Sequence, residues 1–112
     1  MLIYKVLRAE EWADLASTGQ IAGAPVDLAD GFIHFSTADQ VAETLAKHFA
    51  GAADLVICAC HTDDLGADLK WEPSRGGALF PHLYRALRLK EVRWQEGLVM
   101  AGGQHVLPDR VE

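Results

Sequence analysis

The sequence predicts an α+β fold with two main helices and a sheet built mainly from later strands. Apolar residues at helical spacing mark two segments in the first half of the chain. From Leu69 onward the pattern changes to short apolar runs joined by irregular connections. A length of 112 residues is that of one domain, so we expect residues 1–112 to form a single unit.

The chain begins with a predicted strand, helix and loop. Leu2 to Val6 has the β-branched and aromatic content of a strand. Apolar spacing over Ala9 to Thr18, with acids in the first turn, predicts a helix that ends at Gly19. Several glycine, proline and aspartate residues in Ile21 to Gly31 predict a loop long enough to border a ligand.

A second strand, a second helix and a central strand follow. Phe32 to Ser36 is a short predicted strand. Thr37 and Gln40 have the spacing of a capping box, and the apolar stripe behind them predicts an amphipathic helix ending near Gly51. The apolar run from Leu55 to Cys60 predicts a central strand.

The last part of the chain is predicted to consist of strands and connections. The Gly-rich segment Pro73 to Gly77 is interpreted as a mobile loop. The strands predicted around and after it are Leu69 to Glu72, His82 to Leu87, Glu91 to Gln95 and Gly97 to Ala101.

Composition excludes several classes of partner. Ten Lys+Arg against sixteen Asp+Glu give a formal charge of −6, and the bases are scattered, so nucleic acid is not the expected partner. No segment approaches the roughly 20 apolar residues of a membrane span. The first residues lack the pattern of a secretory leader, and we therefore expect a cytoplasmic protein. Cys58 and Cys60 are poorly spaced for a disulfide and are interpreted as buried free thiols.

Polar side chains with chemical capability interrupt two of the apolar runs. His34 and Ser36 alternate along one strand, and His82 and Tyr84 alternate along another, so each pair shares a face. Glu72 is the acid of the second segment. Buried polar groups destabilise a fold unless each finds a partner, and their concentration in two places predicts a pocket.

These residues stand in motifs that resemble a known family. The whole chain is similar to DUF952, a family of small bacterial proteins of unknown function. The motifs that carry the resemblance are a Tyr-containing first strand, Trp12, Gly31-Phe32-Ile33-His34-Phe35-Ser36, Leu69-Lys70-Trp71-Glu72 and Phe80-Pro81-His82-Leu83-Tyr84. Members of that family look like compact relatives of the ADP-ribosyltransferase fold. The resemblance implies a split, strongly bent sheet that clasps NAD in a central cleft.

The resemblance also implies roles for the first motif. Diphtheria-toxin-like and poly(ADP-ribose) polymerase-like transferases carry His-Gly-Ser or His-Gly-Thr on an early strand. By analogy His34 and Ser36 would hold the ribose next to the adenine. The backbone of Phe35, which replaces the glycine, would pair with the nicotinamide amide. The alternative is that His34 donates to a backbone carbonyl and Ser36 caps the following helix.

The second motif supplies the candidate catalytic groups. Cleavage of the nicotinamide–ribose bond passes through an oxocarbenium-like state, which a carboxylate such as Glu72 would stabilise. Tyr84 would stack on the nicotinamide, His82 would orient the ribose, and Arg75 is the candidate base for an anionic ligand. The alternatives are a solvated Glu72 paired with Arg75, and a structural hydrogen bond between His82 and Tyr84.

Three function classes remain open. The first is an NAD-dependent ADP-ribosyltransferase or NAD glycohydrolase, whose acceptor the sequence does not identify. The second is a non-catalytic module that binds NAD, an ADP-ribose derivative or another nucleotide. The third is a structural or interaction protein. No metal is expected, because no spacing brings His34, His61 and His82 together as ligands.

Overall fold

Two three-stranded antiparallel sheets form the framework of the protein. The computed structural model describes residues 1–112 apart from the side chain of Arg75, so the binding role predicted for Arg75 lies outside the described residues. In chain order, the elements are β1 (Leu2–Arg8), α1 (Ala9–Thr18), β2 (Gln20–Ile21), α2 (Pro25–Asp30), β3 (Ile33–His34), α3 (Val41–His48), β4 (Leu55–His61), α4 (Thr62–Leu65), β5 (Leu69–Pro73), β6 (Leu79–Leu83), β7 (Leu87–Arg88), β8 (Val92–Gly97), β9 (Val99–Ala101) and β10 (Gln104–Val106).

The first sheet has the strand order β1-β4-β8 and is covered on both faces. Alternate residues of β1 enter different apolar clusters, because successive side chains of a strand point to opposite faces. Ile3 and Leu7 pack with Cys58 and Cys60 in one cluster. Tyr4 and Val6 pack in a second cluster, which also contains residues of α3. The expectation that both cysteines are buried free thiols is confirmed.

The second sheet has the order β3-β6-β5 and meets the first at a single residue pair. The backbone N–H of Tyr4 donates to the carbonyl of Ser36 over 2.8 Å, and the N–H of Ser36 donates to the carbonyl of Tyr4 over 2.9 Å. Strands β2 and β7 form one small antiparallel pair, and β9 and β10 form another. The predicted compact α+β arrangement, with antiparallel sheets and few helices, is therefore confirmed.

Helix α1 is confirmed, but the predicted loop from Ile21 to Gly31 is wrong because it contains α2. Pro25 is at the start of α2, where the missing N–H of proline costs nothing. Gly31 ends the helix with φ of 85°, in the left-handed region that glycine adopts without strain. The same residues that suggested a loop therefore mark the two ends of a short helix.

Helix α3 is shorter than predicted. It begins at Val41 rather than at Thr37, and it ends at His48 rather than near Gly51. Only half of the expected capping box forms, since Gln40 Oε1 accepts from the Thr37 N–H over 3.0 Å. Residues 37–40 form a turn before the helix.

The strand predicted over His82 to Leu87 is also wrong. Strand β6 ends at Leu83, and the Tyr84 N–H donates to the carbonyl of Asp68 over 2.9 Å instead of continuing the sheet. Leu87 then begins β7, which pairs with β2. No helix in the described part of the chain is long and apolar enough to cross a membrane.

Candidate functional site

A cavity of about 530 Å³ lies between β1 and the strands β3 and β6, with α2 and α3 contributing to its walls. This volume is within the range of small-molecule sites. The lining includes His34, Phe35 and Ser36 from the first motif and His82 from the second. Glu72 and Tyr84 are not in the lining; Glu72 contacts His82 from behind, and Tyr84 contacts Glu72.

Asp27 holds His34 in place. Asp27 Oδ1 accepts from the backbone N–H of His34 over 3.0 Å and lies 2.6 Å from His34 Nδ1. The carboxylate is fully buried, whereas about a third of the His34 side chain is exposed. A buried acid therefore fixes the orientation of an imidazole whose other edge reaches the cavity.

The charge of Asp27 is balanced by Lys5. Lys5 Nζ lies 2.8 Å from Asp27 Oδ2, and the lysine side chain is itself nearly buried. Burial raises the pKa of Asp27, but the hydrogen bonds from His34 and the positive charge of Lys5 outweigh it and lower the pKa from 3.8 to about 2. Asp27 is therefore ionised at neutral pH although it is inaccessible to solvent.

Both ring nitrogens of His34 face carboxylates. Nδ1 meets Asp27, and Nε2 lies 2.9 Å from Oδ2 of the half-exposed Asp30. A carboxylate can only accept, so each contact calls for an N–H on the ring nitrogen that faces it. The two carboxylates therefore hold His34 by both edges at the wall of the cavity.

A second histidine–carboxylate pair lies beside the first. His34 and His82 are directly opposite each other on β3 and β6, and their ring centroids are 5.5 Å apart. His82 Nδ1 lies 2.8 Å from Glu72 Oε1, and the Tyr84 hydroxyl donates to the same oxygen over 2.6 Å. The hydrogen bonds from Tyr84 and His82 lower the pKa of Glu72.

The hydrogen bond to Glu72 fixes which nitrogen of His82 faces the acid. An ionised Glu72 only accepts, so Nδ1 of His82 carries the hydrogen that it donates. The two histidines therefore differ in their surroundings, since His34 is held by two carboxylates and His82 by one.

Phe32 packs among the rings of the site. Its centroid is 4.1 Å from that of His82 in a stacked arrangement, 4.6 Å from that of His34 and 5.2 Å from that of Tyr84. This ring packs between the three polar side chains and contributes to their spacing.

Ser36 does not cap α3, and the backbone N–H of Phe35 is not free to pair with a ligand. Ser36 Oγ lies 2.8 Å from Thr44 Oγ1 in the middle of α3, rather than at the start of that helix. The Phe35 N–H donates to the carbonyl of Pro81 over 3.0 Å, so this N–H is already used within the protein. Phe35 is also almost completely buried.

The sequence motifs thus identified His34, Ser36 and His82 at the cavity, Glu72 in contact with His82, and Tyr84 in contact with Glu72. Sequence reasoning missed Lys5, Asp27, Asp30 and Phe32. One signal was available, since Lys5 lies between Ile3 and Leu7 on the inward face of an apolar strand. A charge in that position requires a buried partner.

Arg8 forms a cationic part of the cavity wall. Its guanidinium lies over the ring of Phe49, 5.1 Å from the centroid. Within the described part of the chain, no carboxylate is within ion-pair distance of this guanidinium. No group of three or more His, Cys, Asp or Glu side chains among the described residues is arranged to hold a metal ion.

Comparison with known proteins places the chain among proteins of unknown function. Residues 6–95 match the family model described as "Protein of unknown function (DUF952)". The crystal structure of protein CC0527 from Caulobacter crescentus is similar, with a TM-score of 0.94 and 49% identity over 99% of this chain and 98% of that one. The solution NMR structure of CC0527 gives a TM-score of 0.83 and 50% identity over 93% and 90% of the two chains. A search of curated proteins finds no match.

Proposed function

The chain belongs to the DUF952 family, and we propose that it binds NAD in the cavity and cleaves the nicotinamide–ribose bond. The proposal includes an ADP-ribosyltransferase-like architecture. Two sheets whose backbones pair at Tyr4 and Ser36, with a cavity beside that junction, support it. The related proteins of known structure carry no stated activity, so the proposal rests on the chemistry of the site.

The observation that carries the proposal is the array His34, His82, Glu72 and Tyr84. His34 and Ser36 line the cavity in which the ribose would lie, with His34 held by Asp27 and Asp30 and the Ser36 hydroxyl held by Thr44. Glu72 Oε1 accepts from both His82 and Tyr84, and Oε2 accepts from none of the described side chains. Because Glu72 does not line the cavity, its ionised carboxylate would act on the reaction through His82, whose Nδ1 it holds.

The proposed reaction is hydrolysis. The bond between ribose C1′ and the pyridinium nitrogen breaks, and its electron pair leaves with neutral nicotinamide. Water attacks the oxocarbenium ion, and His82 Nε2 accepts the proton that the water loses. Glu72 keeps His82 in the tautomer that can accept, and Tyr84 keeps Glu72 in position. In a transferase, the nucleophile of an acceptor would replace the water.

The cations of the cavity support a nucleotide ligand. The protein carries a net charge of −6, yet Lys5 and Arg8 both reach this cavity. Lys5 is neutralised by Asp27, which leaves Arg8 as the base available to a phosphate group. Arginine over an aromatic ring presents a planar donor surface suited to phosphate oxygens.

Cleavage is tested by measuring nicotinamide release from NAD by chromatography, with ligand binding followed by thermal shift. We expect Glu72→Gln to retain NAD binding, because the amide preserves shape, and to lose about 10²-fold in turnover. Glu96→Gln is the matched control, since Glu96 is on β8, pairs with Arg110 and does not line the cavity. It should behave as wild type.

A nucleotide-binding module without turnover is the second candidate. It is favoured by the positions of Glu72, which contacts His82, and of Tyr84, which contacts Glu72, because neither residue lines the cavity. Wild-type protein that binds NAD or ADP-ribose but releases no nicotinamide would establish this second function. Absence of binding as well would leave a structural or interaction role.

A further inference from the structure

Helix α2 forms one wall of the cavity but has few contacts with the rest of the protein. Its residues Val26 and Asp30 line the cavity. Within this fully described helix only Asp27 is buried, and Val26 and Leu28 are more than half exposed. Among the described residues, no backbone-to-backbone hydrogen bond joins residues 22–32 to another segment. The helix is therefore held against the sheets by its side chains.

Two acids make the polar contacts that hold α2. Asp27 pairs with Lys5 and with one edge of His34, and Asp30 Oδ2 lies 2.9 Å from the other edge, at Nε2. Asp27 is fully buried, whereas about half of the Asp30 side chain is exposed. Gly31 follows Asp30, and a residue without a Cβ changes its backbone angles at little cost. The Asp30 contact can therefore open while the Asp27 contact stays closed.

The Asp30 carboxylate occupies the edge of His34 that faces the cavity. Each of the two ring nitrogens of His34 already has a carboxylate partner. Because Asp27 is inaccessible to solvent, a ligand in the cavity can bind this imidazole only at the nitrogen that Asp30 holds. The ligand and Asp30 therefore compete for the same atom.

We propose that Asp30 is an internal competitor of the ligand, and that a bound nucleotide displaces it from His34 and moves the end of α2. This proposal rests on the proposed function, because it takes the cavity as the nucleotide site, and it adds how occupancy of that site is restrained. An ion pair with this exposure alters an equilibrium constant by up to about fivefold, which sets the size of the restraint. If Asp30 instead stayed in place and accepted from a ribose hydroxyl, its removal would weaken binding.

Binding measured by NMR titration distinguishes these two possibilities with two probes. ADP-ribose carries phosphates, and adenosine offers ribose hydroxyls without charge. Asp30→Ala should bind both probes about three- to fivefold more tightly than wild type, because the competing acceptor is gone. Asp30→Asn keeps a neutral acceptor beside His34 and should show a smaller gain. Alanine favours a helix at this half-exposed position, so the variant should fold.

Glu11→Gln is the matched control for the loss of a negative charge. Glu11 also lines the cavity, and in the described structure it does not contact His34. Glutamine keeps the oxygen that accepts from the Arg8 N–H. This variant should leave adenosine binding unchanged, so a gain that is specific to Asp30 cannot come from charge alone.

Two measurements on the free protein follow the contact itself. Diethylpyrocarbonate modifies accessible imidazole nitrogens, and mass spectrometry gives the rate at each histidine. In Asp30→Ala the rate at His34 should rise about threefold or more, while that at His61, which is outside the cavity, stays unchanged. Amide exchange at Gly31, corrected for local sequence, should also rise about threefold. Gly19, whose N–H ends α1 in the same way, should be unaffected.

The outcomes separate this proposal from the proposed function. Weaker or unchanged binding of both probes by Asp30→Ala, with NAD still cleaved, would overturn the proposal and leave the function intact. Tighter binding by the variant, with no NAD cleavage by the wild type, would support the proposal and remove the catalytic step. Unchanged modification of His34 in Asp30→Ala, or no binding of either probe, would overturn the proposal directly.

Discussion

Substitution of Asp27 by asparagine tests the buried ion pair that positions His34. The amide can still accept from His34 through its oxygen, because asparagine keeps the shape of the side chain. Its NH₂ group would face Lys5 Nζ and the Ala24 N–H, both of which now donate to Oδ2. The variant thus leaves a buried lysine without a counter-ion, a change that costs about 3–5 kcal/mol at neutral pH.

The pH dependence of the free energy of unfolding gives a more precise expectation. The folded pKa of Asp27, about 2, is below its ordinary value of 3.8. A lowered pKa contributes stability that is present above the ordinary value and is lost as the pH falls through the folded pKa. Between pH 5 and pH 2 the wild type should therefore lose about 2 kcal/mol through Asp27. Asp27→Asn cannot lose this contribution, so the stability difference between the two proteins should narrow by that amount.

Urea unfolding followed by tryptophan fluorescence at pH 7, 5, 3 and 2 measures this difference. Asp39→Asn is the control, since Asp39 is exposed and outside the site, and its effect should stay within about 0.5 kcal/mol at every pH. A difference between wild type and Asp27→Asn that is the same at pH 5 and pH 2 would refute the reasoning. It would mean that Asp27 is not held in its ionised form by His34 and Lys5.

Two further predictions concern Tyr84 and the cysteines. Tyr84→Phe removes a hydrogen bond that lowers the pKa of Glu72, so this pKa should rise in a carbon-detected NMR titration. The hydrogen bond from His82 should still keep the pKa of Glu72 below its ordinary value. An unchanged pKa would contradict the hydrogen bond between Tyr84 and Glu72. Burial raises the pKa of Cys58 to about 12 and raises that of Cys60 further, so iodoacetamide at pH 8 should label neither thiol in the native protein and both in urea. Rapid labelling under native conditions would show that the cluster around these thiols opens.

Local signals in the sequence were sufficient for α1 and for the first strand. Gly19 ends α1 as predicted, with φ of 87°. They were insufficient over Ile21 to Gly31, where the same residue types are compatible with a loop and with a short helix. Proline is common at the start of a helix and glycine just after its end, as well as in loops. Strand boundaries were also missed at β6, since the hydrogen bond of Tyr84 to Asp68 depends on a distant part of the chain.

Some residues of the candidate site could be found from the sequence, and others could not. His34, Ser36 and His82 could be found because each is a polar residue in an apolar strand. The ion pairs behind His34 could not be found, because Lys5, Asp27 and His34 come from different elements and meet only in the folded protein. Pairing between side chains on separate elements is a tertiary property that spacing along one segment does not encode.

The register of β1 has a consequence for how the protein is made. Every neighbour of this strand in its sheet is about 50 residues further along the chain, from Leu55 to His61. At a synthesis rate of about 5–20 residues per second, β1 waits roughly 3–10 seconds for its partner strand to be translated. During that time Ile3 and Leu7, which the finished fold buries completely, lack the cysteines of β4 with which they pack. The nascent chain therefore carries an apolar strand before its sheet partner exists, and its folding rate is limited by long-range pairing rather than by its helices.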